Sequence, residues 1–160
     1  MAQRETERIQ DQFARAFEGA AWHGRPVLDL LSHISEHDAL SRPVGGNSIL
    51  DIVNHIDAWL SIVRRRAGGA VVPDTTNDVD WPSPDGERAG AWEAALERLR
   101  ASYLELHALT GSLDDSRLDD ELEGKLRTYT VYEDLHGVVQ HSLYHLGQIV
   151  ILAKGLPSTG

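Results

Sequence analysis

The chain has 160 residues, enough for one domain with a sizeable core and too few for two comfortable ones. At 41% hydrophobic and 25% charged residues it is neither disordered in composition nor membrane-spanning, since its longest wholly apolar run, Ile149 to Ala153, is far below the ~18 residues of a spanning helix. Fifteen Lys and Arg against 25 Asp and Glu leave a net charge of -10, which argues against a general nucleic-acid binder, and the absence of Cys leaves only His and carboxylates to hold a metal. A single domain over residues 1–160 is expected. The opening MAQRETERIQ lacks the apolar core of a secretory signal, so the expectation is a cytoplasmic protein with no membrane partner.

Four stretches repeat apolar residues at helical spacing, and strand signals are almost absent, so the predicted fold is all-α, a four-helix bundle with long inter-helix loops. The first stretch carries Ile9, Phe13, Ala16, Phe17 and Ala20, and resumes after Gly24-Arg25-Pro26 with Val27, Leu28, Leu31 and Ile34. Pro26 suits the first turn of a new segment, which predicts a kink or break there. The second stretch opens at Ser48 with Asp51 three residues on, a variant capping box, and buries Ile49, Ile52, Val53, Ile56, Leu60 and Val63. Arg64, Arg65 and Arg66 complement its dipole at the C-terminus, and Gly68-Gly69 ends it. From Gly68 to Gly90 the prolines, glycines and aspartates predict a long loop, with Trp81 as an anchor packed onto the bundle. The third helix carries Trp92, Ala95, Leu96, Leu99, Tyr103 and Leu106 and stops near Gly111. An acidic connection with Asp114, Asp115, Asp119, Asp120, Glu121 and Glu123 lacks the ligand spacing of a calcium loop and reads as a solvated linker. The fourth helix opens with a full capping box, Thr130 and Glu133, runs through Leu135, Val138, Leu146 and Ile149, and closes at Gly155 before Pro157.

Four of the eight histidines form two pairs at i, i+4 spacing: His33/His37 and His141/His145. Such a pair projects from one helix face and can bind one ion, yet chance alone supplies roughly 0.4 such pairs in a chain of this composition. Position separates them. His33 and His37 sit where a helical segment ends, a place for capping, whereas His141 and His145 lie in mid-helix, on a flank roughly 100–140° from the apolar stripe. His55 occupies a similar flank of the second helix. If those helices are neighbours, three imidazoles converge with the remaining coordination positions open, as in a catalytic rather than a structural metal centre. Zinc, nickel or ferrous iron all suit neutral imidazole, and the bland alternative is a set of hydrogen-bonded bundle histidines.

Ser48-Ile49-Leu50-Asp51-Ile52-Val53-Asn54-His55-Ile56-Asp57-Ala58-Trp59, followed by the Leu135-to-Ile149 block with His136-Gly137, His141, Tyr144-His145 and Gly147-Gln148, resembles the DinB-like superfamily. Trp22-His23-Gly24 and the Arg42-Pro43 turn look like one branch of it. The resemblance covers most of the chain. It implies a four-helix bundle that dimerises and binds a divalent ion through one His of the second helix and two of the last; by position these are His55, His141 and His145. Asn47 stands where many relatives have His before the Ser, and Leu146 where many have Arg after the last ligand, so substrate does not transfer safely between members.

The resemblance further implies a metal-dependent enzyme acting on a small molecule. Characterised relatives include transferases using a low-molecular-weight thiol, which is coherent with a chain lacking Cys that borrows its sulfur. Activation of water for hydrolysis is the alternative, and a non-enzymatic dimeric metal-binding stress protein the third reading. Asp51 and Asp134 are candidates to orient the imidazoles, and His23 and Gln148 to line the pocket.

Overall fold

The computed structural model describes residues 3–122 and 128–156. Glu123 of the acidic connection and Pro157 after the last helix lie outside the described residues.

The first apolar repeat forms α1, Glu5–Phe17, with Ile9, Phe13, Ala16 and Phe17 buried along one face. Beyond it the chain breaks, and the two short helices α2, Val27–Leu31, and α3, Glu36–Leu40, carry it across the bundle end. Pro26 is the cap before α2 rather than its first turn, consistent with its fixed φ and missing N–H. Helix α4, Ile49–Ala67, starts at the reciprocal Ser48/Asp51 box: Asp51 accepts from the Ser48 N–H at 2.8 Å and Ser48 Oγ accepts from the Asp51 N–H at 3.2 Å. Its end is a Schellman turn, in which the Gly69 N–H donates to the Arg66 carbonyl at 2.8 Å and the Ala70 N–H to the Arg65 carbonyl at 2.9 Å, with Gly69 at φ 91°.

The single turn α5, Asn77–Asp80, lies within the long loop. Helix α6, Ala91–Ser112, buries Trp92, Ala95, Leu99, Tyr103 and Leu106. A 3-10 turn over Asp115–Asp119 follows, and the acidic connection proves structural rather than merely solvated. Asp115 accepts from the backbone N–H groups of Glu5 and Thr6, at 2.8 and 3.0 Å, and so neutralises the exposed start of α1. Those hydrogen bonds from Thr6 and Glu5 hold its carboxyl below the usual carboxylate range. Helix α7, Val131–Gly155, opens at the reciprocal Thr130/Glu133 box.

Helices α1, α4, α6 and α7 are the bundle. Helix α4 packs against both α6 and α7, and α1 closes the other side against the same two helices. Ile56 and Leu60 from α4, Leu99 from α6 and Leu135 from α7 are fully buried between them, and Phe17 stacks on Tyr103 with centroids 4.7 Å apart. The α4–α7 pairing sets the site, because it turns the flank of α4 carrying His55 towards that of α7 carrying His141 and His145. Among the described residues there are no strands, only an isolated bridge between Glu121 and Thr130, and no helix is long and apolar enough to cross a membrane.

The long loop is tied down at several points. Asp85 pairs with Arg98 of α6 at 2.5 Å, and Arg98 also donates to Asn54 of α4 at 3.1 Å. Arg42 bridges Asp51 and Glu87 at 2.5 and 3.1 Å. Ahead of these anchors the loop lays Asp80 and Trp81 against His55 of α4, with Trp81 also edge-on to His145 of α7.

Candidate metal centre

His55 on α4 and His141 and His145, one turn apart on α7, point their Nε2 atoms at a common centre. The His55 Nε2 lies 2.9 Å from that of His141 and 3.1 Å from that of His145. Their second ring nitrogens decide what this closeness means. The His55 Nδ1 is 2.5 Å from the backbone carbonyl of Asp80, which can only accept, so the proton sits on Nδ1 and the Nε2 lone pair points inward. The His145 Nδ1 faces Gln148 Oε1 at 2.7 Å, with the same consequence.

Two acceptors therefore confront each other across 3.1 Å, an arrangement that is repulsive unless a cation lies between them. Burial pushes the His141 pKa down to about 4, helped by repulsion from His145 and His55, and burial also lowers His145. Both are then neutral at pH 7, the state that ligates metals, and neither readily takes a bridging proton. Nitrogen donors at the zinc distance of about 2.0–2.1 Å on a tetrahedron are about 3.3 Å apart, so small ring rotations bring all three into range. The donor set fits a divalent ion of the zinc, nickel or ferrous type.

The surroundings hold the rings in place. Trp81 stacks on His55, with centroids 4.0 Å apart and planes 7° from parallel. The carboxylate of Asp80 accepts from Trp59 Nε1 at 2.7 Å, fixing the turn whose carbonyl serves His55. Arg66 lies over the other side of Trp59, 5.8 Å from the ring centroid, and pairs with Asp134 at 3.5 Å. Two cavities reach the triad. One of about 450 Å³ opens beside His145, between Ile52, Trp81, Gln148 and Leu152. The other, about 210 Å³, lies beside His141 and is walled by Trp59, Val63, Glu133 and Asp134.

The three histidines singled out by flank and spacing are thus brought together, and Gln148 lines the larger cavity as expected. The proposed orienting carboxylates are not there. Asp51 is consumed by its capping box and Arg42, and Asp134, in the cavity wall beside His141, forms an ion pair with Arg66 at 3.5 Å rather than a hydrogen bond to an imidazole. A backbone carbonyl and an amide oxygen do that work instead. Arg66 is more than a helix terminus: it is buried, unlike Arg65. His23 is exposed beside Val139 and Leu143, in a cavity separate from the two at the triad. His33 and His37 are exposed; His33 donates from Nδ1 to the Asp29 carbonyl at 2.8 Å, a capping role. Trp81 was expected to pack on the bundle, and its stacking on a ligand ring is the feature that sequence reasoning missed. The Asp80-Trp81-Pro82 tripeptide in a long loop was the only signal.

Three buried or half-buried imidazoles converging from two neighbouring helices of a helical bundle fit a metal-binding site. The family model of the DinB superfamily matches residues 5–149, and the chain belongs to that superfamily. No curated protein and no solved structure matches it significantly.

Proposed function

We propose that the protein is a metal-dependent enzyme that joins the sulfur of a low-molecular-weight thiol to a small electrophile, with His55, His141 and His145 as the ligands of a divalent ion. The observation that carries the reading is the convergence of three imidazoles, two of them with their lone pairs aimed inward by the Asp80 carbonyl and Gln148, next to an open cavity. A closed structural site would need a fourth protein ligand, and no further His, Asp or Glu among the described residues joins the three. A divalent ion bound there would supply the Lewis acidity that keeps a thiol ionised near neutral pH.

Thiol chemistry is favoured over hydrolysis by what lines the larger cavity. Among the described residues its wall holds no Asp or Glu to take a proton from water, whereas a thiol is far more acidic than water and needs no such base. The chain, lacking Cys, offers no sulfur of its own. In the proposed reaction a thiol attacks carbon, a C–S bond forms, the bond to the leaving group breaks with its electron pair, and the thiol proton passes to solvent. His55 and His145 hold their orientation throughout, and Trp81 and Trp59 keep water from one side of the rings.

Metal analysis of protein purified without an affinity tag, followed by turnover assays with 1-chloro-2,4-dinitrobenzene and a panel of thiols, tests this reading. Chloride release that requires both metal and thiol, and that is lost in His145→Ala, is the expected result. Metal binding with no thiol-dependent turnover under any loaded ion would overturn the enzymatic reading.

A further inference from the structure

Three of the eight large hydrophobic side chains that are exposed among the described residues, Val44, Tyr144 and Ile151, surround one cavity, the one of about 450 Å³ beside His145. Scattered apolar side chains on a surface are ordinary, but a cluster at the mouth of a cavity that ends on three imidazoles is not. The deeper wall continues in the same character with Ile52, Trp81 and Leu152. The volume is that of a site for a small organic molecule rather than for an ion alone.

Among the described residues the wall holds no Lys, Arg, Asp or Glu. Arg42 lies close in sequence to Val44 and is already spent on the Gly46 carbonyl at 2.6 Å, Asp51 at 2.5 Å and Glu87 at 3.1 Å. A carboxylate on the body of a ligand, held against this wall away from the triad, would lose its water without meeting a counter-charge from the lining side chains, in a chain whose net charge is already -10. The smaller cavity beside His141 offers no escape, since it presents Glu133 and Asp134. The polar groups at the larger cavity are uncharged. Asn47 lies at its wall, and Gln148, with Oε1 held by His145, keeps its NH2 as a donor for a neutral acceptor.

We propose that the ligand reaching the triad through this cavity is an uncharged molecule with an apolar, ring-sized body and a single donor atom at its inner end, and that carboxylate-bearing thiols are excluded. This rests on the metal-centre reading above and sharpens it by naming the class of thiol that fits: neutral and arylalkyl in character, not an acidic peptide.

Cobalt(II)-loaded protein offers the test, because ligand-field absorption reports both the ion and what joins it. Binding of 2-phenylethanethiol is compared with that of its para-carboxylate. The neutral thiol is expected to bind at least about tenfold tighter, and Ile151→Lys, at an exposed rim position, to shift the preference towards the carboxylate by about tenfold. Tyr144→Lys offers the same charge from a neighbouring rim position should the first variant fold poorly. Cobalt bands with equal or tighter binding of the carboxylate, or with no response to either thiol, would overturn this inference and leave the metal centre standing. Absence of cobalt bands altogether would overturn the metal centre itself.

Discussion

Gln148 and Asp80 do at the residue scale what the choice of ligand alone cannot. Each accepts a hydrogen bond from the far nitrogen of an imidazole and thereby settles which nitrogen faces the centre. Gln148→Leu keeps the bulk and removes the acceptor, and metal affinity is expected to fall by roughly 10- to 100-fold, measured by competition with a chromophoric chelator. The metal-free protein should also report His141 through its pH dependence. Its pKa is about 4 folded against 6.5 as the ordinary value, so between these limits the unfolded chain binds more protons and stability rises with pH. The contribution is complete above about 6.5 and is lost as pH falls towards 4. Urea midpoints at pH 7 and pH 5 should therefore drop more in the parent than in His141→Gln. His141 and His145 were legible because i, i+4 spacing in mid-helix is a one-dimensional signal, and His55 because its flank could be read from the stripe of α4. Gln148 was legible as a neighbour on the same flank, though not as the residue that orients His145, and the partner of His55 was not legible. A backbone carbonyl has no residue type, and Asp51 and Asp134 shared the right flanks while being paired with other donors.

At the scale of elements, the ends of α4 and α7 were readable because caps are local: a hydroxyl and a carboxylate three residues apart satisfy the first free N–H groups whatever lies elsewhere. Thr130→Ala should destabilise the fold by about 1 kcal/mol in equilibrium denaturation. Gly69 at φ 91° permits the Schellman turn that ends α4, and Gly69→Ala should cost about 1 kcal/mol by forcing a side chain into the left-handed region. The first apolar stretch was harder to read. The break expected at Pro26 is there, but beyond it the chain forms two short helices, α2 and α3, and apolar spacing could not reveal their separation because Val27, Leu31 and Ala39 are buried like the residues of α1. Asp115 capping α1 from across the chain was invisible for the same reason as Asp80: its role depends on a contact between segments remote in sequence.

Taken as a whole molecule, the bundle is a frame in which one helix pair carries the three histidines and the long loop packs against them. Pairing of α4 with α7 is maintained by core side chains, and Leu135→Ala, at a fully buried position, should lower stability by about 2–5 kcal/mol. The four-helix architecture was legible from the apolar periods. The path of the loop over the α4–α7 seam was not, since it is set by Asp85 meeting Arg98 and by Trp81 meeting His55. An ion bridging α4 and α7 binds only the folded state, so a concentration one hundred times its dissociation constant should add about 2.7 kcal/mol to stability and a chelator should remove it. The central claim, that three imidazoles from two helices share one cation, is tested most directly by nitrogen-15 NMR of histidine-labelled protein titrated with zinc. Saturation at one equivalent is expected, with the Nε2 resonances of His55, His141 and His145 shifting together and the Nδ1 protons of His55 and His145 retained. Binding that leaves the His55 ring unperturbed, or that engages Nδ1 of these histidines instead, would contradict it.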